Sequence, residues 1–284
     1  MALVSMIQLL EKAQKEHYAV GAFNCNNMEI VQAIVAAAEA ENAPVIIQAS
    51  QGAIKYAGIE YISALTKIAA SNANVPIALH LDHGTSFAQV MQCARNGFSS
   101  VMIDGSKLAL EDNIALTNKV IEAVRPLGLS VEAELGKIGG TEDDITVSER
   151  EALFTDPAEA KHFVQATQVD ALAIAIGTAH GQYIGIPKLD FERLTTIREQ
   201  ISTPIVLHGS SGVPDDALIE AISRGVCKVN IDTNIREAFV RAARAVLEGN
   251  AKEIDPRKML GPAREAATAI IREKIRVFGS NGKA

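Results

Sequence analysis

The sequence predicts an α/β chain folded as a single closed (β/α)8 barrel, the TIM-barrel architecture. Three observations predict it. Short apolar, β-branched runs recur along the 284 residues, at 18–23, 44–49, 76–81, 100–103, 129–134, 171–176, 204–208 and 226–231. Helix-patterned stretches lie between them, which is the alternation of a parallel sheet with crossover helices. The runs are almost continuously apolar, as strands buried on both faces must be. Third, polar residues close nearly every run: Asn24, Ser50, Asp82, His83, Asp104, Glu134, His180, His208, Asn230 and Asp232. An open doubly wound sheet gathers its site at one switch point. Here all the strands contribute, as they do at the top face of a closed barrel.

The connecting elements follow in order. Residues 29–41 put Ile30, Ile34, Val35 and Ala38 on one face, at spacing i, i+4, i+5, i+8. Residues 113–124 and 157–165 carry the same pattern, and 215–224 follows Pro214, a helix-start signal. The segment 136–154 is the long polar interruption, with Gly139-Gly140 ahead of Glu142, Asp143 and Asp144. A glycine hinge followed by acids suits a mobile lid; a solvated connection is the other reading, and both stay open on these residues. Residues 254–262 break the pattern before a final amphipathic helix at 263–277, so that a helical extension occupies roughly 255–284. With no linker or low-complexity tract, 1–284 reads as one domain.

Composition bounds the function classes. The chain is 48% hydrophobic and 21% charged, with a net charge of -7. That balance fits a soluble protein and argues against nucleic-acid binding. No apolar run reaches the roughly 18 residues of a membrane span. The start, Met-Ala-Leu-Val-Ser-Met, lacks a basic patch before an apolar core, so no signal peptide is expected. Cys25, Cys93 and Cys227 are too dispersed for a disulfide framework, and a reduced, cytoplasmic setting is expected.

The chemistry centres on His83, His180 and His208, each where a buried run stops. Three imidazoles converging from strand ends, with a fourth position open, form a known catalytic zinc arrangement. Neutral ligands leave the ion its full charge for polarising a carbonyl or stabilising an enolate. Asp82 is placed as a general base beside the bound substrate, because neighbouring strand residues should diverge and keep it off the coordination position of His83. Asp104 and Glu134 are supporting acceptors or alternative metal ligands. His80 shares a face with Asp82 and reads as a packed interior residue, while His17 and His162 lie on helical stretches as surface or packing residues. Three glycine- and hydroxyl-rich turns, Gly177-Thr-Ala-His-Gly181, His208-Gly-Ser-Ser-Gly212 and Asn230-Ile-Asp-Thr233, offer backbone donors for phosphate. Two of them follow the last two strand runs, the usual phosphate position in this architecture.

Together these motifs carry a resemblance that runs nearly end to end. Tyr18-Ala-Val-Gly-Ala-Phe-Asn24, His80-Leu-Asp-His-Gly84, Ser100-Val-Met-Ile-Asp-Gly-Ser106 and Val131-Glu-Ala-Glu-Leu-Gly136 are joined by Gly139-Gly-Thr-Glu-Asp-Asp144 and Ala175-Ile-Gly-Thr-Ala-His-Gly181. Leu207-His-Gly209, Lys228-Val-Asn-Ile-Asp-Thr233 and Asp255-Pro-Arg-Lys258 complete the set. The chain resembles the class II, zinc-dependent fructose-bisphosphate aldolases and their relatives, the tagatose-bisphosphate aldolases. The resemblance implies reversible aldol cleavage of a ketose 1,6-bisphosphate, with Zn2+ on His83, His180 and His208 and Asp82 as acid/base at the C4 oxygen. It implies Glu142 as the group exchanging the proton at the nucleophilic carbon, and places Asp104 and Glu134 near a second metal position. Gly181, Gly209, Ser211, Asp232 and Thr233 match phosphate contacts, with Asn230 beside the reacting carbons. Asn24 and Ser50 match contacts at the other end of the substrate. Arg257 matches a phosphate contact reached across a dimer interface, in a homodimer or homotetramer. A monovalent cation, Na+ or K+, near the phosphate loops is a further implied trait.

The motifs divide over the sugar. His-Leu-Asp-His-Gly, the Asp255-Pro-Arg tail and Asp232 look like the fructose branch, while Ala-Ile-Gly-Thr-Ala-His-Gly and Pro187-Lys-Leu-Asp190 look like the tagatose branch. The balance favours fructose, with tagatose or another ketose phosphate as the alternative. A Schiff-base aldolase on Lys228, which shares strand parity with Asn230, would leave three histidines without a role. A metal-dependent hydrolase would not need two phosphate loops. A non-enzymatic sugar-phosphate binder would not call for carboxylates near a dianion.

Overall fold

The computed structural model describes residues 3–142, 145–147, 154–181, 183 and 185–284, with backbone alone for 141, 142 and 145–147. In chain order the strands are β1 (Val20–Asn24), β2 (Val45–Ala49), β3 (Ile77–Gly84), β4 (Ser100–Ile103), β5 (Ser130–Leu135), β6 (Gly139–Glu142), β7 (Ile145–Val147), β8 (Ala171–Ile174), β9 (Ala179–His180), β10 (Ile205–Leu207) and β11 (Val226–Ile231). Eight of them, β1, β2, β3, β4, β5, β8, β10 and β11, close into a barrel in which every neighbour is parallel. Closure is made where β1 meets β11, with Ala22 opposite Asn230. This is the predicted (β/α)8 fold, and strand edges agree with the expected runs to within a few residues.

Strand parity sorts the interior into layers. Val20, Ala22, Ile46, Ala78, Ala171, Ala173 and Val206 fill the lower end, against Met6, Leu9, Leu10 and Ala13 of the N-terminal helix Met6–Glu16. That helix plugs the bottom of the barrel with apolar contacts. One layer up the interior turns polar: Gln48, His80, Ser100, Glu132 and Lys228 are all 0% exposed. Asn24, Asp82, Glu134, His208 and Asn230 stand above them at the strand ends. The alternate residues, such as Phe23, Ile47, Leu79, Val101, Val131 and Val229, pack outward in the main apolar core beneath the surrounding helices.

Local capping explains where the helices begin. Asn27 accepts the Ile30 N–H at 3.0 Å to start Met28–Glu41, and Asp156 accepts the N–H groups of Ala158 and Glu159 to start Pro157–Thr167. The C-terminal helix differs from the sequence expectation. It begins at Pro256, not at 263, and runs to Val277 straight through Pro262. Asp255 caps it through the Arg257 N–H at 3.0 Å, with Pro256 in the first turn, where a missing N–H costs nothing. The helix lies along Met28–Glu41, and Arg272 and Arg276 both reach the Glu41 carboxylate. Further helices fill the remaining connections, among them Ile59–Asn72, Phe87–Arg95, Phe191–Gln200 and Thr233–Gly249.

A second, three-stranded sheet stands on the rim. β6 pairs antiparallel with β7 and parallel with β9, so that Gly140 lies opposite His180. Part of the polar interruption at 136–154 is therefore built structure fastened to the segment that carries His180. Residues 143, 144 and 148–153 of that segment lie outside the described residues.

Candidate active site

His83 owes its position to a bulge. Leu81 pairs with Val101 and Gly84 with Ile103, so Asp82 and His83 together oppose the single residue Met102. His83 takes the left-handed conformation, φ +47, at this point, a strained choice for a side-chain-bearing residue. Regular pleating would send His83 to the outside of the barrel; the bulge turns its ring inward. The expectation that Asp82 and His83 diverge is thus corrected: His83 Nε2 and Asp82 Oδ1 approach to 4.0 Å.

The three predicted histidines meet. His83 and His208 rings are edge-on with centroids 4.7 Å apart, His83 and His180 4.9 Å, and His180 and His208 6.1 Å. Their ligand nitrogens all lie within 4.8 Å of one another. His83 Nε2 and His208 Nδ1 are 2.9 Å apart. Converging imidazole nitrogens of this kind, beside buried carboxylates, suit a divalent ion of the zinc type. A second cluster shares His83: its Nδ1 lies 3.2 Å from Asp104 Oδ2 and 3.9 Å from Glu134 Oε2. Asp104 also accepts the Ser106 N–H at 3.0 Å. Burial opposes its charge, but the His83 and Ser106 donors outweigh burial and hold its carboxyl well below the usual range.

Asp82 is buried and held by amides on both sides. Its Oδ2 accepts from Asn24 Nδ2 at 2.8 Å and Gln48 Nε2 at 3.1 Å, and its Oδ1 accepts from Asn230 Nδ2 at 3.2 Å. Gln48 also donates to Asn24 Oδ1 at 2.6 Å. These amide donors orient the carboxylate, as a proton acceptor in the reaction needs to be oriented. Gln48 was not singled out in the sequence, although it sits on the same strand face as Ser50.

Glu132 was missed too, and it organises the layer beneath. His208 Nε2 lies 2.8 Å from Glu132 Oε1, and Lys228 Nζ lies 2.9 Å from Oε2. The lysine contact is a charge pair rather than an aligned hydrogen bond. Burial works against the Glu132 charge, but Lys228 and the His208 contact prevail and keep the carboxyl well below its ordinary range. Burial lowers His208 to about 4, with His83 acting in the same direction, so its ring is neutral at pH 7. His80, whose Nδ1 meets Ser100 Oγ at 2.8 Å, is also pushed far down, by burial first and by Lys228 second. The reading of His80 as a packed interior residue fits this geometry, and Lys228 faces inward as the charge partner of Glu132. His17 and His162 are exposed, the latter against Glu111 at 3.1 Å.

A cavity of about 100 Å³ opens beside the histidines. Its lining brings together the predicted Asn24, His180, Gly181, Gly209, Ser211, Asn230, Asp232 and Thr233. The 17-residue helix Thr233–Gly249 starts there, with its amide end at the cavity. Two glycines make room for the His180 segment: a Cβ on Gly140 would meet the His180 carbonyl oxygen at 2.1 Å, and one on Gly209 would meet the Ala179 carbonyl oxygen at 2.5 Å. Tyr183 ties the same two turns, accepting the Ala179 N–H and donating to the Gly209 carbonyl, each at 2.6 Å. Arg236 also lines the cavity, ion-paired with Asp232. The sequence analysis did not single it out, although it lies four residues after Asp232, in the first turn of Thr233–Gly249.

Other expected residues are not brought to the cavity. Ser50 is buried and caps the helix Gln51–Ala57 through the Ala53 N–H at 3.3 Å. Arg257 is 89% exposed and pairs with Asp255 at 2.9 Å, away from the cavity lining of its own chain. Glu142 ends β6, and its side chain lies outside the described residues.

A parallel barrel whose rim gathers three imidazoles, acidic neighbours and a helix-lined cavity defines a carbon–carbon lyase of the metal-dependent kind once relatives are compared. The profile of the family described as fructose-bisphosphate aldolase class-II matches residues 4–283. The chain is 45% identical over 309 residues to the fructose-bisphosphate aldolase of Thermus caldophilus, covering 99% of this chain and 100% of that one. It is 43% identical over 305 residues to the fructose-bisphosphate aldolase of Helicobacter pylori, covering 99% of each. The solved YdjI aldolase from Escherichia coli K12 superposes with a TM-score of 0.86 at 34% identity, over 99% of both chains. The chain belongs to the class II fructose-bisphosphate aldolase family.

Proposed function

We infer that this aldolase cleaves fructose 1,6-bisphosphate reversibly to dihydroxyacetone phosphate and glyceraldehyde 3-phosphate. The observation that carries the reading is Asp82, fixed by three amide donors within 4.0 Å of a histidine of the candidate metal cluster. The relatives named as fructose-bisphosphate aldolases support the sugar.

In this reading Asp82 takes the proton from the C4 hydroxyl as the C3–C4 bond breaks, and returns it in condensation. Asn230, hydrogen-bonded to Asp82, sits beside the reacting carbons, and Asn24 and Ser50 serve the far end of the substrate. His83, His180 and His208 would hold a zinc ion, which would supply Lewis acidity to the cleavage, and Asp104 and Glu134 would offer it a second position. Glu142, on the segment 136–154 acting as a lid, protonates the nucleophilic carbon. Gly181, Gly209, Ser211, Asp232 and Thr233 receive a phosphate at the amide end of Thr233–Gly249, with Na+ or K+ alongside. The remaining parts of the reading are one domain over 1–284 with a helical extension over 255–284, a homodimer or homotetramer in which Arg257 reaches a partner's phosphate, and a cytoplasmic setting. No helix among the described residues is long and apolar enough to cross a membrane.

The test is coupled cleavage of fructose and tagatose 1,6-bisphosphates, each before and after EDTA and again after added zinc. The expected result is faster turnover of the fructose ester, loss with EDTA and recovery with zinc. A faster tagatose reaction overturns the sugar, and turnover that survives EDTA but is lost to borohydride overturns the metal. Arg236 gives a second prediction. It is the cationic side chain in the cavity lining, so Arg236→Met should raise KM for the bisphosphate about tenfold with kcat little changed, the pattern of lost ground-state binding. Steady-state kinetics decide it, and an unchanged KM removes Arg236 from phosphate binding.

A further inference from the structure

We propose that Glu132 is the positioning residue that fixes the tautomer of His208, so that Nδ1 is the nitrogen His208 offers to the metal. The proposal rests on the metal reading above and goes one shell deeper. An imidazole presents one lone pair when neutral, and which nitrogen carries it is set by what the other nitrogen faces. His208 Nε2 faces Glu132 Oε1 at 2.8 Å, and a carboxylate only accepts. The proton therefore belongs on Nε2. Nδ1 is then the acceptor, and Nδ1 is the atom that points into the cluster, 2.9 Å from His83 Nε2 and 3.8 Å from Glu134 Oε2.

Glu132 can hold that post because its two oxygens face different partners, Oε2 turning to Lys228 and, at 3.6 Å, to His80 Nε2. Lys228 Nζ engages Oε2 at 2.9 Å and leaves Oε1 to the imidazole. The three groups come from different strands, β5, β10's end and β11, and all are fully buried. Histidine ligands held by a carboxylate in this way are oriented before the metal arrives.

The experiment compares two double variants, both lacking the buried charge pair. Glu132→Gln with Lys228→Met keeps an acceptor oxygen for His208 Nε2; Glu132→Leu with Lys228→Met removes it. Zinc and cobalt affinities are read by chelator competition, with the visible spectrum of the cobalt form as a check on ligand geometry. Glu132→Leu/Lys228→Met should bind zinc about 10–100-fold more weakly than wild type and show an altered cobalt spectrum. Glu132→Gln/Lys228→Met should stay within a few-fold of wild type. Equal affinities in the two variants overturn the proposal, whether both match wild type or both fall. In case either variant does not fold, 15N-histidine NMR of the wild-type protein reads the tautomer directly. His208 protonated on Nε2, with and without zinc, is the expected result, and His208 protonated on Nδ1 overturns it. Failure of wild-type protein to bind zinc or cobalt at all would instead overturn the metal reading, so the two failures are distinguishable.

Discussion

Asp82→Ala should lower kcat for fructose 1,6-bisphosphate about 10³-fold, within the range that a positioned general base supplies, while zinc content stays at the wild-type level. The separation of the two effects follows from position. Asp82 hangs between amides: Asn24 and Gln48 on one oxygen, Asn230 on the other. His83 Nε2 stands 4.0 Å from Asp82 Oδ1, and the His83 ring is anchored independently by Asp104 at 3.2 Å. Truncating Asp82 removes the proton acceptor and leaves that anchor. Asp82→Asn is a sharper control, because it keeps the volume. Its amide presents an NH2 group to at least one of the surrounding NH2 donors, so it cannot reproduce the wild-type hydrogen bonding. Both variants should therefore be equally inactive, although only one leaves a cavity. Turnover within tenfold of wild type in both would remove Asp82 from the chemistry, and loss of zinc alongside turnover would move it into the ligand set.

The sequence carried the barrel because parallel strands, buried on both faces, leave apolar runs, and here a polar residue closes nearly every one of them. It carried the histidines because each run ends on a polar residue at the open rim. What it could not carry was the local geometry that aims them. Alternation along 77–84 assigns Asp82 and His83 to opposite faces, and only the pairing of Leu81 with Val101 and Gly84 with Ile103 reveals the bulge that reunites them. Glu132 and Gln48 were legible in principle. Each lies two residues before a recognised rim position, Glu134 and Ser50, on a strand too buried to hold an unpartnered polar side chain. Parity alone points both of them inward. The C-terminal helix was misread because Pro262 suggested a break, while the Asp255-Pro256 start signal lay six residues earlier. Arg257 illustrates a different limit. Its exposed pairing with Asp255 is all that one chain can display, and any role it has at a phosphate depends on a second copy.

The largest effect on stability should come from Lys228→Met. Lys228 and Glu132 are both 0% exposed and 2.9 Å apart in the middle of the barrel. Removing one partner of a buried pair strands the other charge, at a cost of about 3–5 kcal/mol. For a chain of this size that corresponds to a fall in Tm of about 10 °C. Glu132 is not relieved by its second contact, since His208 is neutral at pH 7 and brings a hydrogen bond rather than a charge. Adding Glu132→Gln to Lys228→Met should restore most of the loss, because the stranded carboxylate becomes an amide that still accepts from His208. Thermal unfolding of the two variants followed by circular dichroism measures this. A single variant as stable as wild type would mean that the pair contributes nothing beyond its volume. The double variant also answers the Schiff-base question, since it lacks the lysine: turnover retained there excludes Lys228 as a nucleophile. The ammonium is then left with the role its surroundings describe, a fixed charge beneath the site that holds Glu132 in place under His208.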